Sequence, residues 1–338
     1  MVSMIPLKTK QTSRFYLYLP CLLVMAVSFL TGCEARLDLK GVESTLDQSI
    51  RRTDQLMSIQ QLSDGTKLIF GNNGLVLKQG IGAEGWTRSE LNVGLVKPNF
   101  IDSAVCPNGL AVALAYQNQI WLSDDQGDSW SLHELPTAEE VQAVDCTPKG
   151  DIWVVGSFST LLVSKDGGDN WSESTMDEDS MLTAVTFSSA EKGFALGEFG
   201  LLLVTEDGGE NWQMMNPVSE EFYPLSAYFQ DSKTGWVGGL QGLIMQTNDG
   251  GVSWQRQKAA SETPIYSFIS NNEAVFATGD RGTVLTLKKG EWVRVPSPDN
   301  PTYYRSGIST EDHSLLIVGG WGVLLELDPT THALAAYE

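Results

Sequence analysis

The hydrophobic positions of this chain fall in short β-type runs, and residues 182–214 show the pattern most plainly. LTAVTF at 182–187 alternates apolar and polar positions, GFAL at 193–196 follows a turn, 201–205 is a β-rich run, and Trp212 opens a last segment. Alternation at period two, in runs bounded by turn residues, predicts four short strands here.

The block repeats. A pattern Ser/Thr-x-Asp-x-Gly-x-x-Trp occurs as Ser123, Asp125, Gly127, Trp130; as Ser164, Asp166, Gly168, Trp171; as Thr205, Asp207, Gly209, Trp212; and as Thr247, Asp249, Gly251, Trp254. These tryptophans are 41, 41 and 42 residues apart, and Trp86 and Trp292 extend the ladder in degraded form. A Gly-x-x-Gly turn starting eight residues before each Ser or Thr supplies a second marker: it begins at Gly71, Gly197, Gly239, Gly279 and Gly319, keeps one glycine at Gly156, and has Ala115 in its place once. Together the two markers count seven units. Four strands at a period of about 40 residues describe an all-β, seven-bladed β-propeller with four-stranded antiparallel blades, which protects strand edges by radial repetition. It is expected over residues 55–338. The last unit shows three strands, and either the tail 332–337 or the segment before Gln55 could supply the fourth.

The octapeptide is an Asp-box, and its chemistry is structural. The Asp can accept backbone N–H bonds across the turn between the third and fourth strands, the Gly permits positive φ, and the Trp wedges between hairpins. Such boxes occur in sialidases and in propellers that catalyse nothing.

Gly-x-x-Gly, an apolar run and then Ser/Thr-x-Asp-Gly-Gly-x-x-Trp, as in Gly197 to Trp212, resembles the photosystem II stability and assembly factor family. The resemblance covers the whole chain after its N-terminal segment. It implies a seven-bladed propeller of a thylakoid lumen or bacterial periplasm, acting as a non-enzymatic assembly chaperone for membrane-protein subunits. Photosynthetic members commonly carry Arg in a Gly-x-Arg-Gly turn. Here that form stands once, at Gly279-Asp280-Arg281-Gly282, while Asn73, Phe158, Phe199, Gln241 and Trp321 fill the place elsewhere.

In a four-stranded blade the turn between strands two and three lies at the same end as the link to the next blade, opposite the Asp-box. Asn73, Phe158, Phe199, Gln241, Arg281 and Trp321 are therefore expected to form one ring, joined by link residues Tyr303, Tyr304 and Arg305, and by Phe100, Phe222 and Tyr223. Acids at 139–140, 177–179 and 220–221 surround it. Aromatics and arginine inside a charged rim have the composition of a protein-binding surface.

The N-terminus carries a different message. Lys8, Lys10 and Arg14 precede an apolar run at 15–30, interrupted by Pro20, that ends in Leu30-Thr31-Gly32-Cys33. The run is short for a membrane span of about 20 apolar residues and reads as an export signal, 1–32. Its end resembles the bacterial lipobox, which implies a lipidated Cys33, a tether at 33–54, and anchoring on the periplasmic side of an outer rather than inner membrane. Cys21 would leave with the signal, so Cys106 and Cys146 are the remaining pair. Both follow an Ala-Val segment in neighbouring repeats, and equivalent places on adjacent blades lie beyond disulfide reach, so buried free thiols are expected.

Lys and Arg total 22 against 42 Asp and Glu, a net charge of −20, and −23 without the basic residues of 1–32. Such a surface repels phosphate backbones, which excludes nucleic acid as a partner. Enzyme signatures are thin. Of the folded arginines Arg88, Arg256 and Arg294 belong to outer strands, leaving Arg281 and Arg305, one short of a sialidase triad. His133, His313 and His332 fall in different repeats without metal-ligand spacing, so no metal or cofactor is demanded. Every Gly-rich turn joins two strands, unlike a phosphate-binding loop. The expected function is a monomeric, lipid-anchored assembly or stability factor for a membrane-protein complex. Two alternatives keep the fold: an accessory lipoprotein of a transporter or envelope-biogenesis complex, and a sialidase-like hydrolase or glycan-binding propeller.

Overall fold

In a computed structural model, residues 46–271, 274–296 and 301–328 and the strand Leu334–Ala336 are described. The export signal and Cys33 lie outside them. The propeller falls within one compact unit, Gln48–Glu338.

The four runs of residues 182–214 fold as strands Leu182–Phe187, Gly193–Gly197, Leu202–Thr205 and Gln213–Met214, hydrogen-bonded in that order as one antiparallel sheet. Six more sheets repeat it, giving blades 1 to 7 at 56–90, 100–134, 141–175, 182–214, 224–256, 265–294 and 304–336. The first strand of every blade faces a central channel. Blade 6 departs from four strands: the link leaving blade 5 runs beside its outermost strand and adds Lys258–Ala259 in parallel.

A blade buries both faces, so its apolar residues form cores between blades. Seven clusters do this, one per interface, including one that joins Leu56, Ile69 and Leu77 of blade 1 to Leu316 and Val318 of blade 7. Fully burying one such side chain contributes about 1.5–3 kcal/mol, so apolar packing is a main source of cohesion at every interface. The Asp-box tryptophans reach back to the preceding blade. Trp130 meets Phe70 edge to face at 5.4 Å, and Trp212 meets Trp153 at the same separation.

Each Asp-box is a closed set of hydrogen bonds. The Asp207 carboxylate accepts the Thr205 hydroxyl at 2.8 Å, the Asn211 N–H at 2.9 Å and the Asn211 amide at 2.8 Å, while the Gly209 N–H donates to Thr205 Oγ1 at 2.8 Å. These donors hold the Asp207 carboxyl at about 2, well below the ordinary range. Gly209 has φ +94°, and a Cβ there would stand 2.1 Å from Trp153 of blade 3, so both conformation and packing require glycine.

The ring closes without a shared strand. The tail Leu334–Ala336 pairs with Leu324–Leu327, so the C-terminal segment, one of the two possibilities, completes blade 7. Ser49 to Asp54, expected in the tether, serve as the link into blade 1. The Gly322 N–H of blade 7 donates to the Asp54 carbonyl at 2.7 Å, and the Asp54 carboxylate takes both terminal nitrogens of Arg88, at 2.8 and 3.1 Å. Burial alone would lower the Arg88 pKa, but its bonds to Asp54 and the charges of Asp54 and Glu90 leave it raised.

Cys106 and Cys146 form a disulfide, with Cα atoms 5.1 Å apart, which corrects the expectation of free thiols. The two are not at equivalent places. Cys146 pairs with Ile152, as Val105 pairs with Ala111, so Cys106 is one residue further along its repeat. A one-residue offset turns a strand side chain to the opposite face, and the cysteines of blades 2 and 3 meet across the interface instead of pointing the same way.

Candidate functional site

The end of the propeller opposite the Asp-boxes is built from the turns between second and third strands. Asn73, Phe158, Phe199, Gln241, Arg281 and Trp321 all have φ between 50° and 60°. Gln117 of blade 2 completes the ring at φ 67°. It escapes the sequence pattern because Ala115 and Asn118 replace the two glycines. In every blade the next residue is also left-handed, as in Asn118 (55°), Ser159 (50°) and Gly282 (63°). Two successive positive φ values make a type I′ turn, whose twist suits a hairpin and whose preferred sequence is Asn-Gly, as at Asn73-Gly74.

Each turn is clamped. The residue before the ring position donates its N–H to the carbonyl that precedes the blade's inner strand, from Asn72 to Gln55 at 3.1 Å in blade 1 through Gly320 to Tyr303 at 3.1 Å in blade 7. The residue after it is held by the outgoing link, as Gly282 is by Thr302 and Ser159 by Ser180, both at 2.7 Å.

A left-handed backbone is unusual for bulky residues and persists only where surroundings over-determine it. Phe158, Phe199 and Trp321 adopt it with their side chains 53%, 67% and 46% exposed, so burial does not compensate the strain. The Arg52 guanidinium lies over the Trp321 ring at 5.9 Å. Arg52, from the expected tether, is a residue of this face that the repeat pattern does not reveal. Tyr116 and Leu240, beside the ring positions, and Leu95 at the tip of the link from blade 1 are also exposed here.

The link residues separate into two kinds. Phe100, Phe222 and Tyr304 are buried in inter-blade cores and offer no surface, which corrects their place on the binding face; Tyr304 fills the core between blades 6 and 7. Tyr303 and Arg305, one position to either side of it, turn the other way. Tyr303 is half-buried and its hydroxyl donates to Gln55 Oε1 at 2.7 Å across the ring closure. Arg305 sits over the Tyr266 ring at 5.3 Å. Burial raises both phenols above their ordinary pKa, partly offset by Arg305.

Arg305 belongs to a second ring that the sequence did not show. Every inner strand carries a register shift near its start, which leaves Met57, Ile101, Gln142, Thr183, Leu225, Tyr266 and Arg305 without a paired partner residue. A bulge re-aims its side chain, and these seven line one polar pocket of about 180 Å³ at the channel. Asp102 and Asp145 are half-buried acids of the inner strands. Asp102 accepts the Val144 N–H at 3.0 Å and Asp145 the Phe187 N–H at 3.1 Å, each reaching into the next blade. Burial pushes their carboxyls up, to about 6 and about 7, against the opposing effect of those N–H donors.

Among the described residues no group of three or more His, Cys, Asp or Glu could hold a metal. Arg88 is engaged with Asp54, Arg294 reaches the Arg281 carbonyl at 3.4 Å, and Arg256 is exposed on an outer strand. Arg52, from the link into blade 1, is a third arginine of this face beside Arg281 and Arg305.

Residues 122–220 match the family described as photosynthesis system II assembly factor YCF48. Over that stretch, from blade 2 to blade 4, the chain is similar to that family. Two solved structures share the fold: YCF48 bound to a D1 peptide (TM-score 0.66, 16% identity, 81% of this chain and 91% of that one) and YCF48 from Cyanidioschyzon merolae (0.68, 18%, 82% and 96%). A virginiamycin B lyase from Staphylococcus aureus, solved with quinupristin, shares the fold equally well (0.71, 11%, 81% and 95%), so the same fold also carries catalysts. No curated protein sequence matches the chain.

Proposed function

We propose that the chain is a non-enzymatic assembly or stability factor that holds a membrane-protein subunit against its turn and link face. One observation carries the reading: seven clamped type I′ turns, three of which present Phe158, Phe199 and Trp321 to solvent on left-handed backbone. A fold retains exposed aromatics at strained positions where they work, and aromatic anchors in a polar rim are what protein partners dock on. The solved YCF48 that binds a D1 peptide, a membrane-protein subunit, supports the class of partner. Export by 1–32, lipidation at Cys33, periplasmic anchoring and a monomeric state belong to the same proposal and rest on the sequence. Whether the client is a photosystem subunit or belongs to a transporter or envelope complex follows from the experiment.

That experiment is affinity capture after in-cell crosslinking of the full-length protein from solubilised membranes. Native protein is expected to bring down a membrane-protein subunit, and the Arg281→Ala/Trp321→Ala variant to lose it with its melting transition unchanged. Recovery of free glycan instead of protein would favour the hydrolase.

A further inference from the structure

The turn and link face is not uniform around the ring. Phe158 and Phe199 hold equivalent places in blades 3 and 4, and the link between those blades runs from Met176 to Met181 as MDEDSM. Backbone bonds tie that link to both turns. The Ser159 N–H donates to the Ser180 carbonyl at 2.7 Å, the Glu178 N–H to Ser159 Oγ at 3.1 Å, and the Glu198 N–H to the Met181 carbonyl at 2.9 Å. Asp177, Glu178 and Asp179 therefore stand between the two aromatic positions.

More acids flank the outer sides. Next to Phe158, the Ser157 N–H donates to the Glu140 carbonyl at 2.8 Å and its hydroxyl to Glu139 Oε2 at 3.0 Å. Next to Phe199, the Val218 N–H holds the Gly200 carbonyl at 2.9 Å, which places Glu220 and Glu221 just beyond.

Among the described residues no ion pair answers this arc. The pairs lie elsewhere, as Lys165–Glu210 and Lys192–Glu206 at the Asp-box end and Arg88–Asp54 and Lys97–Glu90 at blade 1. Cations of the face, Arg52, Arg281, Arg305 and Lys97, belong to blades 6 and 7 and the links into blades 1 and 2. Uncompensated like charges repel one another, and they steer toward the face whatever carries the opposite charge.

We propose that the arc of blades 3 and 4 binds a cationic amphipathic peptide segment of the partner, whose Lys or Arg side chains meet the carboxylates while its apolar side chains cover Phe158 and Phe199. This rests on the turn and link face being the recognition face, and it adds the chemistry of what docks there. An acidic segment is repelled by the same carboxylates.

The test uses the full-length protein in detergent and three labelled peptides of equal length, alternating Lys with Leu, Lys with Ser, or Glu with Leu, read by fluorescence anisotropy. The Lys-Leu peptide is expected to bind, and to bind at least about tenfold more weakly to Phe158→Ser/Phe199→Ser and to Glu178→Lys/Asp179→Lys, about 1.4 kcal/mol. Asp124→Lys/Asp169→Lys at the Asp-box end should leave it unchanged, since screening over about 10 Å confines the effect to the arc. Equal binding of the Lys-Ser or Glu-Leu peptide, or equal weakening by the Asp-box variant, overturns the proposal. The same arc variants, tried in membrane capture, separate the two claims. A subunit captured by native protein and still captured by both arc variants overturns the arc alone, whereas no capture by native protein overturns the face.

Discussion

Asp54 and Arg88 meet as a two-pronged ion pair, Nη1 to Oδ2 at 2.8 Å and Nη2 to Oδ1 at 3.1 Å, with side chains only 5% and 16% exposed. Asp54 lies in the link into blade 1 and Arg88 on that blade's outer strand, and the Asp54 carbonyl simultaneously holds Gly322 of blade 7. Many propellers close by weaving one terminus into the other's blade, whereas here blade 7 is made wholly of C-terminal strands. Packing between blades 7 and 1 is therefore supplemented by this pair.

Asp54→Ala removes, in a largely buried place, the carboxylate that accepts from the Arg88 guanidinium and the Arg51 N–H. It should lower the unfolding free energy by about 3 kcal/mol. Chemical denaturation of the single variants and of Asp54→Ala/Arg88→Ala is expected to show a coupling of about 1–3 kcal/mol. Additive losses would mean that the two residues stabilise the chain separately.

The disulfide spans a sequence separation of 40 and joins blades 2 and 3. Closing a loop of that length in the unfolded chain corresponds to about 4 kcal/mol in the chain-entropy treatment, with measured values spreading below it. Reductant, or Cys106→Ser, should lower the denaturation midpoint clearly, and reductant should have no further effect on the variant. A midpoint indifferent to both would contradict the bridge.

Asp102 and Asp145 give stability an unusual pH slope. Their folded pKa values of about 6 and about 7 lie above those of an unfolded Asp, so the native state holds extra protons between about pH 4 and pH 7. The unfolded state binds fewer protons there, and stability falls as pH rises through that window, then levels off above it. Melting temperature should decline from pH 5 to pH 8, and Asp145→Asn should flatten the decline. An increase with pH in the native protein would contradict desolvation as the dominant influence on these two carboxyls.

The repeat was readable because every blade keeps a trace of at least one of two turn motifs, the Asp-box and Gly-x-x-Gly, at a fixed place. Where the turn is made by other residues, the mark fails: Gln117 holds a ring position in a blade with neither glycine. The disulfide was hidden by register, since Cys106 and Cys146 look equivalent by their Ala-Val neighbours but differ by one step in pairing. Tyr303, Tyr304 and Arg305 read alike as link residues, and only the bulge at the start of the blade 7 inner strand decides that Tyr304 enters the core while Arg305 enters the channel. Arg88 and Asp54 belong to no motif, and their pairing is a consequence of how the ring closes.

The central claim is that the ring aromatics serve recognition at the expense of backbone comfort, and replacing Phe158, Phe199 and Trp321 together by Asn tests it most directly. Asn tolerates the left-handed region that costs a bulky residue about 1–2 kcal/mol, so thermal unfolding should show the variant at least as stable as the native protein. Membrane capture by the same variant should be lost. Capture at the native level, with folding intact, would contradict the account.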